Sequence, residues 1–417
     1  MYKTDHVANL KNVLYISYTG LMEPLGQSQI FNYLRYLAKD YNITLVTYEK
    51  YNDWKDQIKL KKIKCTTRKV KIDWRPLHYH KNPSLFATTY DLLIGFLFCS
   101  WIIITKKISV IHARSYVASL LALIFKKIFG VKYIFDMRGF WVDERVAVAK
   151  WKHNSIFYKI GKWFEQRFLK NADIVVSLTN SAIEEIKKFS YFENCTLNYI
   201  IIPTCTDISR FKPQFPDKNL FNALNLTDKF VVSYIGSVGG WQLFDEVLDC
   251  FKIVKDIVPN AFFLILNKGQ HNFILKQLDK YEIFKSDFAL FDVRYEEVPK
   301  YINLCKIGIF FNKPGFAKKA SAPTKLGEFL ACGVPVITNA GVGDVENIIM
   351  DNKVGVVVKS FNEDEYEVAI REMLAMLKIG KIKVRCCKTA KNIFSLEKGV
   401  KYYRLIYDQL FVQQKKH

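Results

Sequence analysis

"SAPTKLGEFLACGVPVIT", from Ser321 to Thr338, reads as loop, helix, glycine and strand. Ser321 is the expected N-cap, and Pro323 falls in the first turn, where its missing N–H costs little. Gly333 is the expected residue just past the helix, and the run after it enters a sheet. The preceding "IGIFF" reads as a strand. The helix therefore starts at the carboxyl end of a strand, where free N–H groups and the helix dipole favour an anion. Lys318, Lys319 and Lys325 add positive charge around it. Glu328 lies four residues beyond Thr324. A phosphate repels a carboxylate, whereas the vicinal hydroxyls of a ribose donate to it. Phosphate turn and hydroxyl-binding carboxylate together describe a nucleoside-diphosphate pocket. The competing reading is an ordinary buried helix with a solvated lysine cluster.

Outward from this stretch, apolar strand-like runs alternate with helical ones. "NVLYISY", "YNITLVTYE", "VIHARS", "VKYIFDMRG" and "ADIVVSLT" are strands in the first half, with helical segments such as "YVASLLALIFKKIFG" between them. "IIPTCTDISRFKPQFPD" interrupts the rhythm with three prolines and reads as the connection. The alternation restarts with "KFVVSYIGS", "AFFLILNKG" and "KIGIFFNK". Such alternation predicts α/β architecture with parallel sheets covered on both faces. Two Rossmann-like halves are expected, residues 1–205 and 206–395. An amphipathic helix over 396–417 packs back towards the first half. In such sheets ligands bind beyond the carboxyl ends of the strands, and two halves facing each other would enclose a cleft.

The chain has 417 residues, 50% of them hydrophobic and 15% aromatic, so it folds around packed cores rather than remaining disordered. Its formal charge is +22. A lysine-rich composition of this kind fits biased codon usage, an anionic membrane surface or a phosphorylated substrate. Nucleic acid is disfavoured as a partner, because no helix-turn-helix, zinc-finger or RNP-like signature occurs. The nine cysteines, Cys195 among them, are irregularly spaced with no CxxC pair. They read as small buried hydrophobes in a reducing compartment, not as a zinc site. The N-terminal "MYKTDHVANLKNVLYISY" shows no secretory apolar core. Together these features predict a cytoplasmic protein.

"LLIGFLFCSWIIIT" (Leu92–Thr105) is short for a bilayer span, which needs about 20 residues. The first reading is a buried helix. The second is a helix lying on a membrane, favoured by the basic "KLKKIKCTTRKVKIDWR" before it. That basic stretch also reads as an ordinary solvated strand and loop.

"SAPTKLGEFLACGVPVIT" resembles the donor-site segment of glycosyltransferase family 4, enzymes of the GT-B fold. "IIPTCTDISRFKP" resembles the family's interdomain connector. "YIGSVGGWQLFDEVLDCF" and "LGQSQIFNYLRYLA" resemble its two glycine-bearing segments. "HARSY" and "FDMRGFWVDE" are similar to acceptor-domain strand ends of a bacterial subgroup active in polysaccharide and lipopolysaccharide synthesis. The resemblance spans nearly the whole chain. It implies a retaining, metal-independent transferase with no cofactor beyond a UDP- or GDP-type nucleotide-diphosphate sugar as donor. The implied acceptor is a glycan or a lipid-linked glycan. The implied location is the cytoplasm, peripheral on the cytoplasmic face of the inner membrane.

Two departures bear on this. The family often pairs two glutamates separated by seven residues; Glu328 matches the second, and Ala320 stands at the first. The family's Arg and Lys after the first strand of the second half are replaced by Ser237 and the Trp241–Gln242 region. Lys319 and Lys325 are the cations that could hold the diphosphate instead. The donor-binding set is then Gly26, Gly236, Ser237, Lys319, Ser321, Pro323, Thr324, Lys325 and Glu328, with Gly26 allowing close backbone approach. Catalytic roles fall to Lys325, Glu328, Asp136 and Arg138. Arg114, Arg138 and Trp141 are the expected acceptor contacts. Asp136, Arg138, Asp143 and Glu144 are expected as one cluster, in which Asp136 orients Arg138 or contacts a hydroxyl; that cluster also reads as a structural ion pair. Arg114 ranks above His112. No general base is evident, in line with front-face retention in which the leaving phosphate takes the acceptor's proton. The departures keep a catalytically silent nucleotide-sugar-binding subunit open, alongside a GT-B nucleotide-sugar epimerase.

Overall fold

A computed structural model describes residues 10–82, 84–153, 155–192 and 196–414. The first nine residues and Cys195, on which some of the sequence readings fall, lie outside the described residues. The chain divides into two compact units. One holds the residues up to 178, with 182–202 and those from 399 on; the other holds 179–181 and 203–398.

The first unit carries a seven-stranded sheet built from β1 (Lys11–Ser17), β2 (Tyr41–Glu49), β3 (Ile72–His78), β4 (Val110–Arg114), β5 (Lys132–Asp136), β6 (Ile174–Ser177) and β7 (Tyr199–Ile201). The order is β3-β2-β1-β4-β5-β6-β7, with every pairing parallel. The second unit holds β8 (Phe230–Ile235), β9 (Ala261–Leu266), β10 (Phe288–Phe291), β11 (Ile307–Ile309), β12 (Val336–Asn339) and β13 (Gly355–Val358), in the order β10-β9-β8-β11-β12-β13, again parallel. The central strands are buried on both faces because their sequences are apolar at every position rather than at alternate ones, as in β9, "AFFLIL". Each sheet reverses its winding once, between β1 and β4 and between β8 and β11. Those are the points where crossover connections leave in opposite directions and open a crevice.

Close packing of helix on sheet places the decisive stretch. The Thr324–Ala331 helix sits on β11, where a Cβ added to Gly308 would stand 2.7 Å from the Phe329 ring. Glycine here lets helix and strand meet. On the other side of this core Phe251 stacks on Phe263 at 4.5 Å.

Three expectations change. The helix N-cap is Pro323, without a side-chain cap; Ser321 lies further out in extended conformation. Pro323 supplies the extended geometry that the cap needs, so the serine hydroxyl is not used. The basic segment before β3 is a helix, Gln57–Lys69, with Leu60 and Ile63 buried beneath its lysines. The apolar stretch ending at Thr105 belongs to a helix, Ser84–Thr105, that is not buried: an 18-residue window of it is only 33% buried. The eight cysteines described are free thiols, and Cys65, on the Gln57–Lys69 helix, is exposed.

Candidate functional site

In the second unit the switch point lies between the ends of β8 and β11, and the residues following those strands meet there. Gly236 follows β8 with φ +124, a conformation that favours glycine. A Cβ at Gly236 would stand 3.2 Å from Lys325 Nζ, so the lysine crosses directly over this backbone. Lys325 Nζ donates to Gln242 Oε1 at 2.8 Å and lies 4.7 Å from the centre of the Tyr234 ring. Gln242 in turn donates to Asn312 Oδ1 at 2.9 Å, and the Asn312 backbone is paired with the buried Asn339 side chain. The Tyr234 hydroxyl donates to the Ser237 carbonyl at 2.5 Å, leaving the Ser237 side chain exposed.

Burial disfavours the charged form of Lys325 and brings its pKa down to about 7, against the pull of Glu328. Burial likewise pushes Glu328 up to about 7, opposed by a hydrogen bond from Tyr295 and by Lys325. A cation and a carboxylate on adjacent turns thus both titrate near neutrality, beside a helix start whose first N–H groups lack intrahelical partners. A diphosphate would bring Lys325 the charge it lacks, and a ribose would bring hydroxyl donors to Glu328.

The other residues expected here are distributed as follows. Lys319 presents its carbonyl to Thr179 at 2.6 Å. Lys318 is buried with its Nζ 3.9 Å from the Trp241 ring centre, so it stacks as a cation on an aromatic face. Ala320 is buried. Gln242, Trp241, Asn312 and Tyr295 were not singled out as contacts. Gln242 was the legible one, since it falls where the family's second cation stands.

In the first unit the switch point gathers the ends of β1, β4 and β5. His112 bridges the Tyr407 hydroxyl at 2.8 Å and Asp136 Oδ2 at 3.4 Å. Tyr403 donates to the same carboxylate oxygen at 3.2 Å. Arg138 approaches Asp136 Oδ1 at 3.8 Å and donates to Gln29 Oε1 at 3.3 Å. Burial opposes ionisation of Asp136, but Arg138 and His112 outweigh it and hold the carboxyl below its usual range. Burial holds His112 neutral towards lower pH. Arg114 is buried too, its Nε without a hydrogen-bond partner, and its pKa is lowered by burial and then by the charge of Arg138. Arg138 adopts φ +61, a backbone conformation uncommon outside glycine.

The expected four-residue cluster divides. Asp143 is not with Asp136; it pairs with Lys162 at 3.1 Å and accepts from Tyr158 at 3.2 Å, next to the buried Glu165, which accepts from Tyr116 at 2.6 Å. Asp143 and Glu144 lie on the Trp141–Ala147 helix, which directs Asp143 to the helix Ile156–Asn171. Trp141 stacks on Tyr116 at 5.7 Å and carries Arg145 over its ring. Gly26 is buried where an added Cβ would stand 2.1 Å from the Gly20 carbonyl. Its loop is tied down by Glu49, which accepts from the Leu21 and Met22 amides at 2.6 and 2.9 Å. Among the described residues no cluster of three or more His, Cys, Asp or Glu has the geometry to hold a metal ion.

The sequence model of the group 1 glycosyl transferases matches residues 216–392. That of the glycosyl transferase 4-like domain matches residues 28–194, and the two together span most of the chain. No curated protein sequence matches it. Among solved structures, a glycosyltransferase from Rickettsia africae ESF-5 is 15% identical with a TM-score of 0.72, covering 97% of this chain and 99% of that one. Sucrose-phosphate synthase from Thermosynechococcus elongatus is 14% identical with a TM-score of 0.68, covering 97% of this chain and all of the other. HepE of Anabaena, solved with UDP and glucose, is 12% identical with a TM-score of 0.69, covering 96% of this chain and 100% of HepE. At these identities the likeness to solved structures speaks for the fold, and the domain matches speak for the family. The chain belongs to the glycosyltransferases of the GT-B fold, of the family 4 type.

Proposed function

We propose that this protein transfers a sugar, with retention, from a UDP- or GDP-type nucleotide-diphosphate sugar to a glycan or lipid-linked acceptor, in the cytoplasm and in the service of cell-surface polysaccharide synthesis. The observation that carries the reading is Lys325 lying over the Gly236 backbone at a switch point, with Glu328 one turn along the same helix. In this reading Lys325, the backbone at Ser321–Thr324 and the Gly236–Ser237 turn hold the diphosphate and stabilise its growing charge as the sugar departs, with no metal taking part. Lys319 adds long-range positive charge. Glu328 binds the ribose. Arg114, Arg138 and Trp141 contact the acceptor, and Asp136 positions Arg138. Support for the donor class comes from HepE, whose structures hold UDP and UDP-glucose. Support for the pathway comes from WaaG, a lipopolysaccharide glycosyltransferase 13% identical to this chain with a TM-score of 0.64.

Thermal shift against UDP, GDP, ADP, CMP and their sugar derivatives tests the reading. A ligand at a hundred times its dissociation constant stabilises by about 2.7 kcal/mol. A shift with one diphosphate and none with CMP is expected; no shift with any nucleotide would remove the donor pocket. Turnover is expected to survive a chelator.

A second reading, a silent nucleotide-sugar-binding subunit, is favoured by Ala320 and by the uncharged Ser237 and Gln242. It predicts the same thermal shift with no sugar transfer and no donor hydrolysis.

A further inference from the structure

The Ser84–Thr105 helix packs one side on its unit and bares the other. On the packed side Asp91 accepts from Tyr18 at 2.7 Å and pairs with His80 at 2.5 Å, and Gly95 lies against the Tyr48 hydroxyl. On the other side Phe86, Tyr90, Leu93, Leu97, Trp101 and Ile104 are each more than half exposed. They recur every three or four residues, so they form one stripe along the whole helix. The neighbouring helix Ser115–Phe129 touches both this helix and the helix Ile156–Asn171. It adds exposed Ile124 and Ile128, and the third helix adds Ile156, Phe157, Ile160 and Trp163. An apolar face spread over three adjacent helices exceeds what a freely soluble monomer ordinarily leaves bare.

The charges that these helices expose are of one sign. Their acidic residues are Asp91 and Glu165, both buried and bonded within the unit. Of their basic residues, Lys126 pairs with Asp173 and Lys162 with Asp143, and Lys127, Lys159, Arg167 and Lys170 are exposed. Arg167 lies over the Trp163 ring at 4.8 Å, a basic–aromatic pairing suited to a headgroup boundary.

We propose that these three helices form a docking surface for an anionic lipid bilayer. Apolar side chains enter the acyl boundary and lysines meet the lipid phosphates. The Ser84–Thr105 helix lies on the bilayer rather than crossing it, because the side bearing Asp91 and Gly95 is already packed against protein. A second copy of the chain is a poor occupant, since like charges would face each other. The proposal does not depend on the donor or acceptor assigned above.

The full chain, floated with phosphatidylcholine vesicles containing about one-third phosphatidylglycerol, tests it. We expect on the order of tenfold more protein on these than on pure phosphatidylcholine at low salt, falling as salt rises. The double substitution Leu97→Glu with Trp101→Glu should bring recovery down to the neutral-vesicle level while leaving the thermal unfolding midpoint in place. Because substitution could disturb the fold, quenching of the unaltered protein's fluorescence by brominated lipid gives a second readout. It should be large, and should mostly vanish in Trp101→Phe with Trp163→Phe. Equal recovery on neutral and anionic vesicles, no quenching, or a substituted protein that floats like the parent would each overturn the proposal. So would a sedimenting dimer that the same glutamates dissolve.

Discussion

Asp136 in the first unit is held by His112, Arg138 and Tyr403, whereas Lys325 in the second rests on a neutral amide and two aromatic rings. Both groups stand where a parallel sheet reverses its winding, and both are removed from water. The first keeps its charge because its partners are built in. The second gives up part of its charge and holds the place of a partner open. The same strand order about the switch point therefore serves a cluster with its counter-ion built in on one sheet and an incomplete one on the other. The incomplete one is where an anionic ligand gains most.

The largest effect should come from breaking the satisfied cluster. Asp136→Asn leaves Arg138 buried without its carboxylate and should cost about 3 kcal/mol or more in urea unfolding. An unchanged midpoint would mean that the cluster is not holding the first unit together. Next, Lys325→Ala should lower sugar transfer by on the order of a hundredfold and weaken nucleotide-diphosphate binding, with the unfolding midpoint kept. Calorimetry and initial rates read both, and full binding in the alanine variant would show that the ligand sits elsewhere.

Glu328→Gln sharpens the contrast through pH. The folded carboxyl binds its proton more tightly than the unfolded one, so between pH 4.5 and about 7 its contribution to stability falls as pH rises. The amide should flatten that fall, whose slope is at most on the order of 1 kcal/mol per pH unit for one proton. Lys325 has the opposite sign. Its folded pKa lies below the unfolded one, so between about 7 and 10.5 stability rises with pH. Unfolding midpoints from pH 5 to pH 9, compared between parent and variant, separate the two. The smallest stability effect belongs to Arg114→Met, which removes an incompletely bonded buried guanidinium for an apolar chain of similar reach. We expect a change under about 1 kcal/mol. Transfer to acceptor should be lost while nucleotide binding persists; unaltered transfer would take Arg114 out of the acceptor site.

The alternation of strands and helices was legible because short, continuously apolar runs mark the buried strands and a three-to-four-residue spacing marks the helices between them. The Thr324–Ala331 helix, Gly333 and the Val336–Asn339 strand fall where the pattern puts them. Lys325 was legible as a site residue for the same local reason. What escaped depends on contacts distant in sequence. Gln242 meets Lys325 across 83 positions, and Tyr407 meets His112 across 295. Neither pair leaves a local signal. Asp143 was grouped with Asp136 because both follow the end of the same strand, but the turn at Arg138 and Gly139 and the helix after it send the two carboxylates to different partners. The Ser84–Thr105 segment was legible as a helix, but its exposure differs from the first reading because hydrophobicity reports what avoids water, not whether protein or something else covers it.

The free thiols offer a handle for watching this molecule at work. Burial pushes Cys305 up to about 12 and raises Cys387 as well, which makes both poor nucleophiles although they are only half-buried. Cys65 is the exposed thiol among the described residues, standing on a basic helix. Among the described thiols a maleimide dye should therefore attach there first. A fluorescent reporter at Cys65 then follows ligand binding without any engineered cysteine.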